Sequence, residues 1–224
     1  MKDRSRHNVL LLMIVFASLI IGVAVATPLD VHAVAQAVDR RYNQMRTLQA
    51  DFTETYRGPG IDRSESGTLW LKRPGKMRWV YREPKEKLFV TDGKNAWFYV
   101  PGERQARKTS VKKLEDLRSP LQYLLGHTKL EKEFDGLSFA PDVKPWQAGD
   151  VVLRGVPKHM QGINEVLLEI TPEHQIARIT VQEADGAVTD YEFSRLKEDV
   201  QVNDQEFRFA APPGTEVVEG DIGQ

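Results

Sequence analysis

Thr68-Leu69-Trp70-Leu71-Lys72-Arg73-Pro74-Gly75-Lys76-Met77-Arg78-Trp79 is the stretch on which the fold turns. Two runs of strand-forming residues flank Pro74-Gly75, a pair that interrupts a ladder and suits a tight turn. The gap is far too short for a parallel crossover, so the two runs are antiparallel neighbours. Outward from this hairpin the same period of two repeats. Strands are predicted near residues 50–56, 64–72, 76–83, 87–91 and 95–100, with breaks at Gly58-Pro59-Gly60, Pro84, Asp92-Gly93 and Pro101-Gly102. Further strands are predicted near residues 151–154, 164–170, 176–182, 188–195 and 206–209, with Asp185-Gly186 as a hairpin turn and Ala211-Pro212-Pro213-Gly214 as the end of regular structure. Such even spacing predicts a mainly β protein with accessory helices, either an antiparallel sandwich or one curved antiparallel sheet closing toward a barrel.

Two helical segments interrupt the pattern. Thr27-Pro28-Leu29-Asp30 reads as a helix start with Thr27 as cap, and Val31, Val34, Ala35, Val38, Tyr42, Met45 and Leu48 follow at helical spacing. In mid-chain, residues 111–126 carry Leu114, Leu117, Leu121, Leu124 and Leu125 on one face, with Ser119-Pro120 as a kink and Gly126 as a stop. Residues 130–149 hold turn residues and one weak strand. A leucine-striped helix inserted into a sheet is either part of the core or a cover over it.

The chain opens with Lys2, Arg4 and Arg6, an uncharged apolar stretch over residues 9–25, and the small-residue site Ala24-Val25-Ala26. That is the layout of a cleaved export signal over residues 1–26, leaving one domain over residues 27–224 in the periplasm. The absence of cysteine excludes disulfides, thiolate metal sites, a cysteine nucleophile and an N-terminal lipid anchor on cysteine. With 41% apolar and 28% charged residues the chain can build a core, and its net charge of −1 offers no basic field for nucleic acid. The cluster Arg104, Arg107, Lys108, Lys112 and Lys113 reads as a solvated loop. The histidines are scattered and no H-E-x-x-H, nucleophile elbow or phosphate loop is present. We therefore expect no metal, no cofactor and no enzymatic activity.

What the sequence has in surplus is apolar surface. Leu69-Trp70-Leu71, Leu88-Phe89-Val90 and Trp97-Phe98-Tyr99-Val100 are continuous, and Met77, Trp79 and Tyr81 share a strand face. A half-exposed antiparallel strand alternates, so continuous runs predict burial on both sides, one against protein and the other against a helix or a ligand. The candidate cavity lining is Leu69, Leu71, Met77, Trp79, Tyr81, Leu88, Val90, Trp97 and Tyr99, with Leu114, Leu117, Leu121 and Leu124 as the candidate cover.

The hairpin quoted at the outset, together with Val90-Thr91-Asp92-Gly93-Lys94-Asn95-Ala96-Trp97-Phe98-Tyr99, resembles the periplasmic outer-membrane lipoprotein carrier family, LolA. The opening helix resembles it as well, and so do the stretch Leu48-Gln49-Ala50-Asp51-Phe52-Thr53-Glu54 and the tail Phe207-Arg208-Phe209-Ala210-Ala211-Pro212-Pro213-Gly214-Thr215-Glu216-Val217. The resemblance spans residues 34–218 and is weakest over 130–165. It implies an unclosed half-barrel under a helical lid that takes the acyl chains of lipoproteins. The implied partners are the acylated cargo, an inner-membrane lipoprotein-releasing transporter and an outer-membrane receptor, with the carrier itself a monomer. The alternative is a carrier or sensor of another lipid or glycolipid on the same fold. The resemblance further implies that Arg73 is a lid latch bonding to helix backbone, here expected at the end of residues 111–126. It places Met77 at the cavity mouth, where the family usually has a bulkier apolar residue.

Overall fold

The computed structural model describes residues 29–116, 123–124, 129–158, 160–220 and 222, with the side chains of 114–116 excepted. Helix α1 (Val31–Gln44) is capped by Asp30, whose carboxylate accepts from the His32 N–H at 3.1 Å, and it ends where Met45 turns extended. The helix thus starts later than predicted, and the expected cap Thr27 lies outside the described residues. Of the predicted stripe, Ala35, Val38 and Tyr42 form the buried helical face. Leu48 belongs instead to strand β1 (Thr47–Gly58), where burial alternates residue by residue as a one-sided strand requires.

The chain continues as β2 (Ile61–Lys72), β3 (Lys76–Glu83), β4 (Lys87–Asp92), β5 (Asn95–Tyr99), β6 (Gln105–Ser110) and the short helix α2 (Val111–Asp116). Helix α3 (Leu130–Glu133) leads into β7 (Phe134–Phe139), β8 (Val151–Pro157), β9 (Ile163–Ile170), β10 (Ile176–Glu183) and β11 (Val188–Glu198). A strap over residues 199–215 then runs to β12 (Glu216–Glu219). All of it is one 12-stranded unclosed sheet in the order β12-β6-β5-β4-β3-β2-β1-β11-β10-β9-β8-β7. The central junction β1–β11 joins the two halves of the chain, Phe52 opposite Phe193.

The sheet curls around α1. Tyr123 packs at a tilt on Phe134 of β7 with ring centroids 5.1 Å apart, while its neighbour Leu124 lies beside Leu71 and Arg73 at the end of β2. In a flat sheet those two strands would stand roughly 30 Å apart. A glycine assists the bend. At Gly67, beside a register shift, an added Cβ would come within 1.9 Å of the Val80 carbonyl oxygen, so only glycine lets β2 and β3 approach there.

Four expectations are corrected. Of the basic cluster read as a loop, only Arg104 lies in one: Arg107 and Lys108 belong to β6, a polar strand whose apolar signal is only Ala106 and Val100 before it, and Lys112 and Lys113 to α2. Residues 206–209 are not a strand: Asp204–Phe207 is a 3₁₀ turn, capped by the Asn203 side chain on the Gln205 N–H. Regular structure does not end at Gly214 and the sheet is not wholly antiparallel, since β12 pairs with β6 in parallel. The strap supplies the long return that a parallel pairing needs, a connection the hairpin argument did not consider.

Candidate functional site

The inner face of the sheet is a continuous apolar wall. Leu48, Ala50 and Phe52 of β1 face Leu71, Leu69 and Gly67 of β2, and Leu69 and Leu71 in turn face Trp79 and Met77 of β3. Phe52 lies 4.7 Å from the Trp79 ring and meets Tyr81 edge-on at 4.9 Å. Beyond the junction the wall continues through Phe193, Tyr191, Ile179, Val181, Leu168 and Val166. Helix α1 covers it with Ala35, Val38 and Tyr42, joined by Tyr123, Leu124, Leu130 and Phe134.

Of the predicted lining, Leu69, Leu71 and Trp79 are buried in this wall, and Met77 and Tyr81 are half-buried at its margin. Leu88, Val90, Trp97 and Tyr99 are not part of it. The register sets Val90 opposite Arg78 and Leu88 opposite Val80, then Trp97 opposite Val90 and Tyr99 opposite Leu88. All four therefore point to the outer face, where Trp97 and Tyr99 pack on Phe209 at 6.2 and 5.8 Å. The continuous runs were expected to be buried on both sides, but Trp70, Leu88, Phe89, Trp97, Phe98 and Tyr99 are only half-buried, and the outer cover over Trp97 and Tyr99 is the strap. Phe89, opposite Trp79, is the inward residue of its run, a placement that only the β3–β4 register gives. Phe52 and Phe193 were also missed, since each sits in a strand that alternates normally and carries no surplus.

The predicted cover is described only in part. Leu124 is buried in the core, whereas Leu117, Leu121 and the side chain of Leu114 lie outside the described residues. Helix α1 is the cover whose seating is defined. Arg73 donates Nη1 to the Asn43 carbonyl and Nη2 to the Tyr42 carbonyl, both at 2.6 Å, so its planar fork closes over the exposed carbonyls at the helix end. The end of residues 111–126, where that bond was expected, lies outside the described residues. Arg41 reaches the other way, from Nε to Glu198 at 2.6 Å and from Nη1 to the Glu173 carbonyl at 2.8 Å. The Tyr42 hydroxyl accepts the Ile176 N–H at 2.9 Å. Toward the helix start, Asp39 accepts from the Leu130 N–H and His32 pairs with Glu131.

At one end the apolar wall gives way to charge. Glu54 of β1 and Glu65 of β2 are paired neighbours and both are buried. The Tyr81 hydroxyl donates to Glu54 at 3.0 Å, Lys87 reaches Glu65 at 2.5 Å, and Arg63 lies 3.9 Å from Glu54 and 3.5 Å from Glu65. Burial pushes the Glu54 carboxyl above its ordinary range, against the pull of the Tyr81 hydrogen bond. Burial also pushes the Tyr81 phenol up, and the adjacent Glu54 charge adds to it. Among the described residues no group of histidine, aspartate and glutamate side chains is arranged to hold a metal ion.

An apolar wall on an unclosed sheet, under a helix fastened mainly at its end, suits an apolar ligand that displaces the helix. The chain is also similar to known proteins. The family model for the outer membrane lipoprotein carrier protein LolA matches residues 43–210. The outer-membrane lipoprotein carrier protein of Nitrosospira multiformis is 32% identical over 178 residues, covering 77% of this chain and 82% of the relative. That of Chromobacterium violaceum is 30% identical over 203 residues, covering 90% and 94%. Among solved structures, a LolA superfamily protein from Nitrosomonas europaea overlays with a TM-score of 0.45 at 11% identity, over 81% of this chain and 98% of that one.

Proposed function

This chain belongs to the outer membrane lipoprotein carrier protein LolA family, and on that premise we propose that it is a periplasmic carrier whose inner sheet face takes the acyl chains of lipoproteins. It receives them from an inner-membrane releasing transporter and passes them to an outer-membrane receptor. Residues 1–26 are the export signal and residues 27–224 the single carrier domain. No bond is made or broken in the cycle, so the protein acts as a chaperone rather than an enzyme.

The observation that carries this reading is the wall itself, Phe52, Leu69, Leu71, Met77, Trp79 and Tyr81 on one side of an unclosed sheet beneath a separate cover. Each acyl methylene buried there gains about 0.8 kcal/mol, so two chains drive transfer out of water strongly. The wall is filled by α1 and its neighbours in the closed form, and cargo must displace them. The cover then competes with cargo for the same surface, and release is favoured by its return. Arg73 is the latch in this reading, because its two bonds end on the backbone of the part that moves.

The test is displacement of an environment-sensitive apolar dye from the purified protein. An acylated lipopeptide should compete the dye off and the same peptide without acyl chains should not. Equal competition by both peptides sinks the acyl-binding reading. A free glycolipid that co-purifies and alone displaces the dye would favour the other-lipid carrier.

A further inference from the structure

Arg73 holds α1 on the β2 side, but the opposite side of the helix end is seated on the turn between β9 and β10. Tyr42 is its deepest element there, 1% exposed with its ring in the core. Its hydroxyl accepts the N–H of Ile176, the first residue of β10, at 2.9 Å. The β9–β10 ladder shifts register between Ile176 and Arg178, so this N–H lies where the ladder is irregular. Ile176 is itself fully buried. The sheet thus gives a buried backbone donor to a phenol that belongs to the cover. Beside it, solvent stands close to the seam. A cleft of about 400 Å³ opens between Ala37, Arg40 and Arg41 of the helix and Glu173, His174 and Asp199 of the body.

We propose that the Tyr42–Ile176 hydrogen bond is a clasp that cargo must break, making Tyr42 a positioning residue for the cover. The proposal rests on the carrier reading above. An acyl chain that lifts α1 removes the acceptor that Tyr42 brings to Ile176, and a methylene offers none in exchange. The loaded form then holds an unsatisfied buried donor, and the return of the phenol satisfies it again. The clasp biases the carrier toward release without touching the cargo. It differs from Arg73 in direction, since the sheet donates to the helix side chain rather than a sheet side chain donating to helix backbone.

Amide hydrogen exchange on the full mature chain tests it, with a synthetic dipalmitoyl-glyceryl-cysteinyl peptide as cargo and its unacylated twin as control. Loading should lower the protection of the Ile176 amide roughly tenfold or more, while Ile179 and Leu168 amides in the same sheet keep theirs. Tyr42→Phe keeps the ring and deletes the acceptor, so the closed form is weakened relative to the open one. It should bind the acylated peptide about tenfold more tightly and surrender it more slowly. A purely structural phenol predicts a lower Tm with unchanged affinity. Full Ile176 protection in the loaded wild type overturns the clasp, and so does wild-type affinity in Tyr42→Phe. Should the variant not fold, the wild-type exchange measurement decides alone. Failure of the wild type to prefer the acylated peptide is a different result, which removes the carrier reading and the clasp together.

Discussion

The two faces of the one sheet are covered in opposite ways. On the outer face the strap is stapled side chain by side chain. Lys72 and Lys76 both grip Asp204, at 2.7 and 2.9 Å, and hold its carboxyl down at about 2. Lys72 also donates to the Val202 carbonyl and Arg78 to that of Glu206. Phe207 is fully buried, Phe209 lies on Trp97 and Tyr99, and the chain then joins the sheet as β12. On the inner face α1 adds no strand. It rests three buried side chains on the wall and is tied by the Arg73 bonds to its end carbonyls and by its own Arg41, Tyr42, Asp39 and His32 side chains. A cover that enters the ladder is part of the frame. A cover that only lies on the wall can leave while the frame stays folded.

The largest effect that could break this contrast is on the strap. Phe207→Ala should destabilise the whole fold by about 3–5 kcal/mol, because it empties a fully buried aromatic site. Urea unfolding measures it, and acyl transfer per folded molecule should remain normal. A variant that unfolds at the wild-type midpoint would mean that the strap is as detachable as α1. Next in size is Arg73→Leu. It deletes the guanidinium fork over the two helix-end carbonyls, a charge-assisted contact worth in all about 1.5–3 kcal/mol in the closed form. The cover's balance should shift by ~10- to 100-fold toward open. Cargo should load and then fail to transfer to a membrane-anchored receptor, with only a modest fall in Tm. A large fall in Tm with normal transfer would place α1 in the frame.

The smallest effect sharpens the comparison from within the inner face. Glu54 is an acid whose folded pKa lies above its ordinary 4.5, so its ionised form is disfavoured by burial. Its unfavourable contribution is complete above the folded pKa and fades as pH falls toward the unfolded value. Glu54→Gln, which still accepts from Tyr81, should therefore be slightly more stable than wild type at neutral pH. The gain should shrink as the buffer is taken down through that window. Thermal melts across pH measure it, and a neutral-pH loss in the variant would mean that Lys87 and Arg63 already overcompensate the buried charge.

The hairpin 68–79 and the strands around it were readable because period-two burial and Pro-Gly or Asp-Gly turns are local signals. That count left an antiparallel sandwich and a curved sheet both open; the resemblance to the carrier family supplied the unclosed sheet, whose inner wall holds Leu69, Leu71 and Trp79. The faces of Leu88, Val90, Trp97 and Tyr99 were not readable. A run such as Leu88-Phe89-Val90 states that both sides are dry, while only the register across β3–β4 states which side is which. The strap was unreadable for a related reason. Its hold on the sheet comes from Lys72, Lys76 and Arg78, which read as ordinary outward polar residues of a hairpin until their partners over a hundred positions away are known. The seat of α1 was half readable. Ala35, Val38 and Tyr42 gave the buried stripe, but nothing in that spacing announces that a phenol oxygen will meet a strand's first N–H.

The two ends of the sheet bear on a hazard common to proteins of this kind. An unclosed sheet has two rims, and a long flat rim is a template on which another chain can add strands and precipitate. Here β12 replaces the rim of β6 with four residues that begin and end in glutamate, Glu219 tied back to Lys108. At the other rim, β7 loses its register between Asp135 and Ser138, where Gly136 takes a positive φ of 65°. One rim is short and acidic and the other is bent, so neither offers a run of evenly spaced donors and acceptors. A half-barrel can in this way remain open along its length and still resist growing into a fibre at high concentration.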